Sequence, residues 1–138
     1  MDILDEVAFD VERGKIREFA RATRTEDPVH TSTEAARAAG FPDVPATATH
    51  VVVAGHHRDQ QGFVANLGLA FDRVVVGSVK WTYFRPLCAG DSLHGVRRVA
   101  DDVRKHGKRF VTLETDYSDA DGECVVRVRE VLIERGER

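Results

Sequence analysis

The spacing of apolar residues divides the chain into a first part that is mostly helical and a second part that is rich in strands. Residues 7–11 alternate between apolar and polar side chains, which predicts a short opening strand. Apolar residues then recur at helical spacing and predict a helix over about residues 13–22. Thr31 and Glu34 have capping-box spacing, so the alanine-rich segment after them is expected to form a second helix that ends at Gly40.

A largely apolar segment follows the two prolines of FPDVP. This segment, ATATHVVVAGHHRDQQ at residues 46–61, predicts a long third helix despite its β-branched residues. Beyond residue 62, five apolar runs are separated by glycine, aspartate and charged residues, a pattern typical of strands. The runs are residues 63–71, 74–84, 92–103, 109–118 and 123–134. No helix-length segment connects them, so we expect an antiparallel sheet, with a tight hairpin at DADG.

This order of elements predicts an α+β fold in one domain over residues 1–138, with a curved antiparallel sheet wrapped around a long central helix. Three features predict a soluble, cytoplasmic protein. The hydrophobic content is 42%, no apolar run approaches the roughly 20 residues that cross a bilayer, and the N-terminus is acidic. The net charge of -3 argues against nonspecific nucleic-acid binding. Cys88 and Cys124 have no C-x-x-C partner, so we expect reduced, packed thiols and no zinc site.

Three sequence features together resemble the MaoC-like dehydratases and hydratases, and most closely their fatty-acid-synthase-like N-terminal branch. They are the loop that ends in Pro-x-His at Pro28 and His30, the A-A-x-x-x-G-F-P segment through Gly40 and Phe41, and the F-R-P-L-x-A-G-D-S-L run into a strand. The resemblance covers nearly the whole chain and implies a hot-dog fold whose subunits pair edge to edge. It also implies addition or removal of water at the 2,3 positions of acyl chains held as thioesters on coenzyme A or acyl carrier protein, without a metal or redox cofactor.

The loop TRTEDPVH departs from the family pattern where the catalytic acid is expected. In the hydratases that the chain resembles, the loop is Asp-x-Asn-Pro-x-His. Aligned on Pro28 and His30, Thr25 occupies the aspartate position and Asp27 the asparagine position. A threonine hydroxyl does not act as a base near neutral pH without strong activation, whereas an imidazole exchanges protons there.

Two functions follow from this loop. In the leading hypothesis, Asp27 or Glu26 replaces the missing carboxylate, and the chain is itself an (R)-specific enoyl-thioester hydratase or 3-hydroxyacyl-thioester dehydratase with His30 and Asp27 as catalytic residues. In the second, the chain is a non-catalytic acyl-binding subunit, and its partner carries the Asp and His pair. The structural alternative is that Asp27 caps the turn at Pro28 and His30 is a polar residue near a helix start.

The remaining substrate-binding candidates follow from the resemblance. They are Thr25, Gly40, Phe41, Ala46, Thr47 and His50. Backbone N–H groups near residues 46–48, at the start of the predicted third helix, are candidate donors to the thioester oxygen, with ordinary helix-end geometry as the equal alternative. His50 and His57 lack a matching third ligand, so no metal site is expected.

Several other residues carry weaker predictions. A group of basic residues around one hairpin is expected to form a solvated surface, with binding to coenzyme A phosphates or an acidic carrier protein as the alternative. Its members are Arg97, Arg98, Arg104, Lys105, Lys108 and Arg109. Arg85 is expected to form a structural salt bridge, and Trp81 and Tyr83 to pack in the core or at a dimer interface. The apolar runs FDRVVVG and VKWTYF predict exposed sheet edges, and therefore a dimer with a second copy or a related chain.

Overall fold

The structure is a computed structural model that describes residues 3–136. Its regular elements are, in chain order, β1 (Ile3–Asp10), α1 (Arg13–Ala22), a 3₁₀ turn (Pro28–His30), α2 (Thr33–Ala38), a longer 3₁₀ helix (His50–His57), α3 (Gln60–Asn66), a short 3₁₀ turn (Phe71–Arg73), β2 (Val74–Tyr83), β3 (Ser92–Lys105), β4 (Lys108–Ser118) and β5 (Cys124–Glu134). The helices therefore precede most of the sheet, and the α+β prediction is confirmed.

The strands form one five-stranded antiparallel sheet with the order β1-β3-β4-β5-β2. The hairpin predicted at DADG joins β4 to β5, where the Asp119 N–H donates to the Glu123 carbonyl at 2.9 Å and Gly122 has a φ of +81°. Bulges interrupt several strand pairs, including β2 with β5, and such bulges bend and twist a sheet. Within residues 3–136, β2 pairs only with β5, so one side of β2 is a free edge.

The core consists of two hydrophobic clusters on the sheet. The first joins β1 and the 3₁₀ helix His50–His57 to the inner faces of β3, β4 and β5, and includes Phe9, Val51 and Tyr117. The second joins α3 to β4 and β5, and includes Phe63, Val111 and Leu113. The segment from residue 50 to residue 66 therefore covers the sheet, as the central helix of the prediction was expected to do.

The predicted continuous helix over residues 46–61 is wrong, because the segment forms two short helices, His50–His57 and α3. The Asp59 carboxylate accepts a hydrogen bond from the Gly62 N–H at 3.0 Å and caps a new helix start. The β-branched valines before Gly55 also disfavour a long α-helix. No helix within residues 3–136 is long and apolar enough to cross a membrane.

Two further local predictions are corrected by the structure. Residues 63–71, predicted as a strand, form most of α3 and the start of the next 3₁₀ turn, because the Asp59 cap begins a helix directly before them. The capping box at Thr31 does not form. The N-cap of α2 is instead Ser32, whose hydroxyl accepts from the Ala35 N–H at 3.1 Å.

Candidate functional site

The loop before α2 holds Asp27 in a role local to its own turn. One Asp27 carboxylate oxygen, Oδ1, accepts a hydrogen bond from the Val29 N–H at 3.1 Å, and the Asp27 carbonyl accepts from the His30 N–H at 3.2 Å. No hydrogen bond or ion pair within residues 3–136 joins the Asp27 carboxylate to the His30 ring. The carboxylate therefore caps the turn at Pro28, as the structural alternative predicts.

The His30 ring is half-buried and connects this loop to the segment before the 3₁₀ helix His50–His57. Its Nδ1 atom lies 2.7 Å from the Pro45 carbonyl oxygen. Because a carbonyl only accepts hydrogen bonds, Nδ1 carries the proton and donates it to Pro45. In the neutral imidazole, Nε2 is then the unprotonated nitrogen.

Thr25, at the position that aligns with the catalytic aspartate, is directed towards the end of α1. Its N–H donates to the Ala20 carbonyl at 2.8 Å. Its Oγ1 lies 3.1 Å from Thr23 Oγ1, which in turn donates to the Phe19 carbonyl at 2.9 Å. Thr25 therefore helps to end the helix, and its hydroxyl donates to Thr23.

A groove of about 370 Å³ lies beside Pro45 and is lined by residues 46–48 and 83–87. The Ala46 N–H donates to the Leu87 carbonyl at 2.7 Å, which fixes one wall of the groove. The N–H groups of Thr47 and Ala48 have no acceptor within residues 3–136. Thr47 and Ala48 precede His50, the first residue of the 3₁₀ helix, so the prediction that they begin a long helix is wrong. Their N–H groups are nevertheless unpaired donors in residues that line the groove.

Tyr83, at the end of β2, also lines this groove. Its hydroxyl donates a short hydrogen bond to the Ala48 carbonyl and so joins β2 to the segment before the 3₁₀ helix. Burial raises the pKa of Tyr83 to about 12, so the phenol stays protonated at neutral pH. The predicted core or interface residue is therefore also part of the groove wall.

Gly40 and Phe41 line a second, adjoining groove of about 590 Å³, which shares Arg85 with the first. The Arg85 guanidinium donates to Asp91 at 2.8 Å and to Asp119 at 3.3 Å, so the predicted structural salt bridge is confirmed. Gly40 and Phe41 thus line a different groove from Ala46 and Thr47.

His50 is buried in the core, 0% exposed, and does not line either groove. Its ring centroid lies 5.8 Å from that of Phe9 and 5.4 Å from that of Phe19, and neither ring nitrogen has a partner within residues 3–136. Burial, with a smaller contribution from Lys15, lowers the pKa of His50 to about 4, so the ring is neutral near pH 7.

No group of three metal-ligating side chains lies close together in the part of the chain that the structure describes.

A further cavity of about 220 Å³, which we call the inner cavity, lies between the 3₁₀ helix and the sheet. Its apolar wall is formed by Val51, Val52, Val79, Trp81 and Val128. Its other end is polar and is formed by Arg58, Gln60, Arg97, Thr115, Tyr117 and Glu130. Two arginines and a glutamate thus face a cavity that also has a continuous apolar side.

The polar end of the inner cavity is a network of charges around Asp5. Arg97, only 2% exposed, makes a double hydrogen bond to Asp5 and donates to Gln60 at 3.1 Å. Arg58 donates to the same carboxylate at 2.6 Å. Glu130 lies 3.9 Å from Arg97, and its burial raises the pKa of its carboxyl group. The network joins β1, β3, β5 and the turn before α3.

The family of the chain is established by sequence comparison. The model of the family described as "FAS1-like, dehydratase domain region" matches residues 1–128. The chain belongs to this family. A UPF0336 protein from Saccharopolyspora erythraea is 38% identical over 131 residues, which are 94% of this chain and 83% of that protein.

Several solved structures have the same fold as this chain. The HadBC (3R-hydroxyacyl-ACP dehydratase) complex from Mycobacterium tuberculosis matches with a TM-score of 0.81 at 25% identity, covering 94% of both chains. A MaoC-like dehydratase matches with a TM-score of 0.86 at 24% identity, covering 98% of this chain and 41% of that one. The ChsH1-ChsH2 complex, also from Mycobacterium tuberculosis, matches with a TM-score of 0.79 at 21% identity, covering 97% of this chain and 84% of that one. The resemblance to MaoC-like proteins and the hot-dog fold are therefore confirmed.

The sequence prediction missed the charge network of this FAS1-like dehydratase chain. The sequence predicts Arg97 among the basic residues of a solvated hairpin, whereas the structure buries it. The signal was available, since Leu93, Gly95 and Arg97 lie two residues apart on β3 and therefore on the same buried face. Arg109, from the same group, pairs with Asp102 at 2.7 Å at the hairpin.

Proposed function

We propose that this chain is the acyl-thioester-binding subunit of a two-chain hydratase or dehydratase, and that a related hot-dog partner supplies the catalytic aspartate and histidine. The observation that carries the proposal is the state of the loop. Thr25 stands at the aspartate position and donates to Thr23, while the Asp27 carboxylate accepts from its own turn. The HadBC and ChsH1-ChsH2 structures, both complexes of related chains, support an assembly of this kind.

The groove beside residues 46–48 supplies what such a subunit needs to hold a thioester. We assign the unpaired N–H groups of Thr47 and Ala48, two residues that line the groove, as the donors to the thioester oxygen, which gains negative charge during hydration. A base from the partner removes a proton from water, the water oxygen bonds to C3, and the C2–C3 double bond electrons move towards the carbonyl. C2 then takes a proton from an acid, and dehydration is the reverse sequence.

The free edge of β2 is the proposed contact with the partner. Val75 and Val76 on this strand are 40% and 58% exposed, and Phe84 directly after it is 58% exposed. An exposed apolar edge with unpaired backbone groups is a liability that pairing with another chain removes. A second copy of this chain and a related chain both fit this edge, and the altered loop favours the related chain.

A second candidate function is that the chain is itself a hydratase, with His30 as its acid-base residue and Asp27 assisting. The hydrogen bond from Nδ1 to the Pro45 carbonyl favours this candidate, because in the neutral imidazole it leaves Nε2 as the nitrogen that can accept a proton. This second function requires the Asp27 carboxylate to leave the Val29 N–H, since no hydrogen bond within residues 3–136 joins the side chains of Asp27 and His30.

The experiment that separates the two candidates is hydration of crotonyl-coenzyme A and of 2-octenoyl-coenzyme A, followed by the loss of enoyl absorbance. The purified chain is compared with the same chain co-purified with a hot-dog chain from its own genome that has an intact Asp-x-Asn-Pro-x-His loop. We expect hydration by the complex and none above background by the chain alone. Hydration by the chain alone that is lost in His30→Ala, but kept in the exposed-turn control His106→Asn, would establish the second candidate instead.

A further inference from the structure

The groove and the inner cavity follow one another along β2. Val79, Trp81 and Tyr83 are two residues apart, so their side chains share one face of the strand. Tyr83 lines the groove, whereas Val79 and Trp81 line the inner cavity. Side chains two residues apart on a strand are separated by about 6.6 Å, so a molecule bound in the groove needs to extend only this far to reach the cavity.

We take the contact between Tyr83 and Ala48, which both line the groove but not the inner cavity, as the boundary between the two spaces. On the inner side, the apolar wall of Val79, Trp81 and Val128 is suited to a hydrocarbon chain and offers no anchor for a polar carrier. An acyl tail attached to a thioester in the groove is therefore the part of the substrate that fits the inner cavity.

Arg97 lines the polar end of this cavity and contacts the second hydrophobic cluster of the core. One face of its guanidinium lies 3.4 Å from the centroid of the Phe63 ring, which belongs to the second cluster. Its N–H groups are engaged by Asp5 and Gln60. Since these donors already have partners, few N–H groups of Arg97 remain to bind a ligand. A hydrocarbon tail in contact with the guanidinium would also disturb a buried ion pair.

We propose that Arg97, held by Asp5, Gln60 and Phe63, forms the closed end of the acyl cavity and limits the chain to short and medium acyl tails. The inference rests on the proposed acyl-thioester function and names the substrate class. A cavity of about 150 Å³ is large enough for benzene, so the inner cavity of about 220 Å³ holds a tail of roughly six to nine carbon atoms. The limit is expected near octanoyl.

The test measures binding of acetyl-, butyryl-, hexanoyl-, octanoyl- and dodecanoyl-coenzyme A to the full chain. Trp81 is the single tryptophan of the protein and lines the inner cavity, so its fluorescence reports directly on a tail in that space. Each methylene buried should tighten binding about fourfold. For the wild type we expect this increase, with a change in Trp81 fluorescence, up to about octanoyl, and no increase from octanoyl to dodecanoyl.

The variant Arg97→Met opens the end of the cavity towards Phe63 while keeping a side chain of similar length. Asp5 keeps its hydrogen bond to Arg58, whereas Glu130 loses its ion pair with Arg97 at 3.9 Å. We expect dodecanoyl-coenzyme A to bind this variant on the order of tenfold more tightly than octanoyl-coenzyme A. Arg98→Met, on the opposite face of β3, is the matched control and should keep the wild-type limit.

Each other outcome contradicts a defined part of the argument. A wild-type affinity that continues to rise to dodecanoyl, or binding that leaves Trp81 fluorescence unchanged, overturns the length limit but leaves the acyl-binding function standing. Absence of binding by every acyl-coenzyme A in the series overturns the proposed function itself. The wild-type profile decides the proposal even where Arg97→Met does not fold, as judged by circular dichroism.

Discussion

Replacement of the buried His50 should remove a large part of the acid sensitivity of the fold. The ring is 0% exposed between Phe9 and Phe19, and neither nitrogen has a hydrogen-bond partner in the part of the chain that the structure describes. Protonation of this ring would place an unpaired charge in the first hydrophobic cluster. The folded state therefore keeps His50 neutral, with its pKa lowered by burial to about 4.

The size of the effect follows from the difference between folded and unfolded chains. The unfolded chain binds the proton near pH 6.5 and the folded chain near pH 4. Between these values only the unfolded state is protonated, so stability is complete above pH 6.5 and falls as the pH decreases towards 4. The two pKa values differ by about 2.5 units, and each unit corresponds to 1.36 kcal/mol. The free energy of unfolding therefore falls by about 3 kcal/mol as the pH decreases towards 4. This is a large fraction of the roughly 5–15 kcal/mol that stabilises a typical domain.

The assay is urea unfolding of the wild type and of His50→Leu, followed by circular dichroism from pH 7.5 to pH 4. Because other groups also titrate, the informative quantity is the difference in unfolding free energy between the two proteins. We expect this difference to move by about 3 kcal/mol in favour of His50→Leu as the pH falls. The control His106→Asn, in the exposed turn between β3 and β4, should follow the wild type. A difference that stays constant with pH would refute a neutral, buried His50.

Two further predictions concern packing and the sheet edge. Gly95→Ala should lower the free energy of unfolding by about 1–3 kcal/mol, because the new Cβ would lie 2.6 Å from a Tyr117 ring atom. In Gly14→Ala, in α1, the new Cβ meets no atom within 4 Å, so the free energy of unfolding should rise by about 0.5–1 kcal/mol. Equal urea midpoints for the two variants would contradict this. Val76→Lys at the β2 edge should weaken subunit association in analytical ultracentrifugation, and Val103→Lys, exposed on β3, should not; equal effects would place the interface elsewhere.

Most of the sheet could be predicted from the sequence because its strands have an unambiguous local pattern. The runs predicted at residues 74–84, 92–103, 109–118 and 123–134 correspond to β2, β3, β4 and β5 with small differences at their ends. Helix α1 was likewise predicted within its observed bounds. Each of these elements combines a clear apolar period with turn residues at its ends.

The middle of the chain was less predictable because its apolar residues fit more than one period. Phe63, Leu67 and Leu69 lie two or four residues apart and are compatible with a strand, yet the Asp59 cap on Gly62 starts a helix there. A single local hydrogen bond thus decides the outcome. Such a cap is visible in the sequence only as one aspartate among several.

The candidate site shows the limit of residue-by-residue transfer from a family. The loop at residues 25–30 was identified from its Pro-x-His pattern, but the direction of the Asp27 carboxylate depends on the turn that it caps. Arg97 was missed because a basic residue near a hairpin usually faces solvent. Its burial depends on Asp5, which lies 92 positions away in sequence, and only the fold brings the two together.

Hydration of 2-octenoyl-coenzyme A by the two-chain complex, with His30→Ala introduced into this chain alone, shows which of the two chains carries the acid-base pair. We expect a rate within a few-fold of the unaltered complex, because the acid-base pair belongs to the partner. We also expect that alanine at the histidine of the partner's intact loop abolishes hydration. A loss of about 10²–10⁴-fold from His30→Ala, the range typical of removing an acid-base group, would contradict the account and place catalysis in this chain.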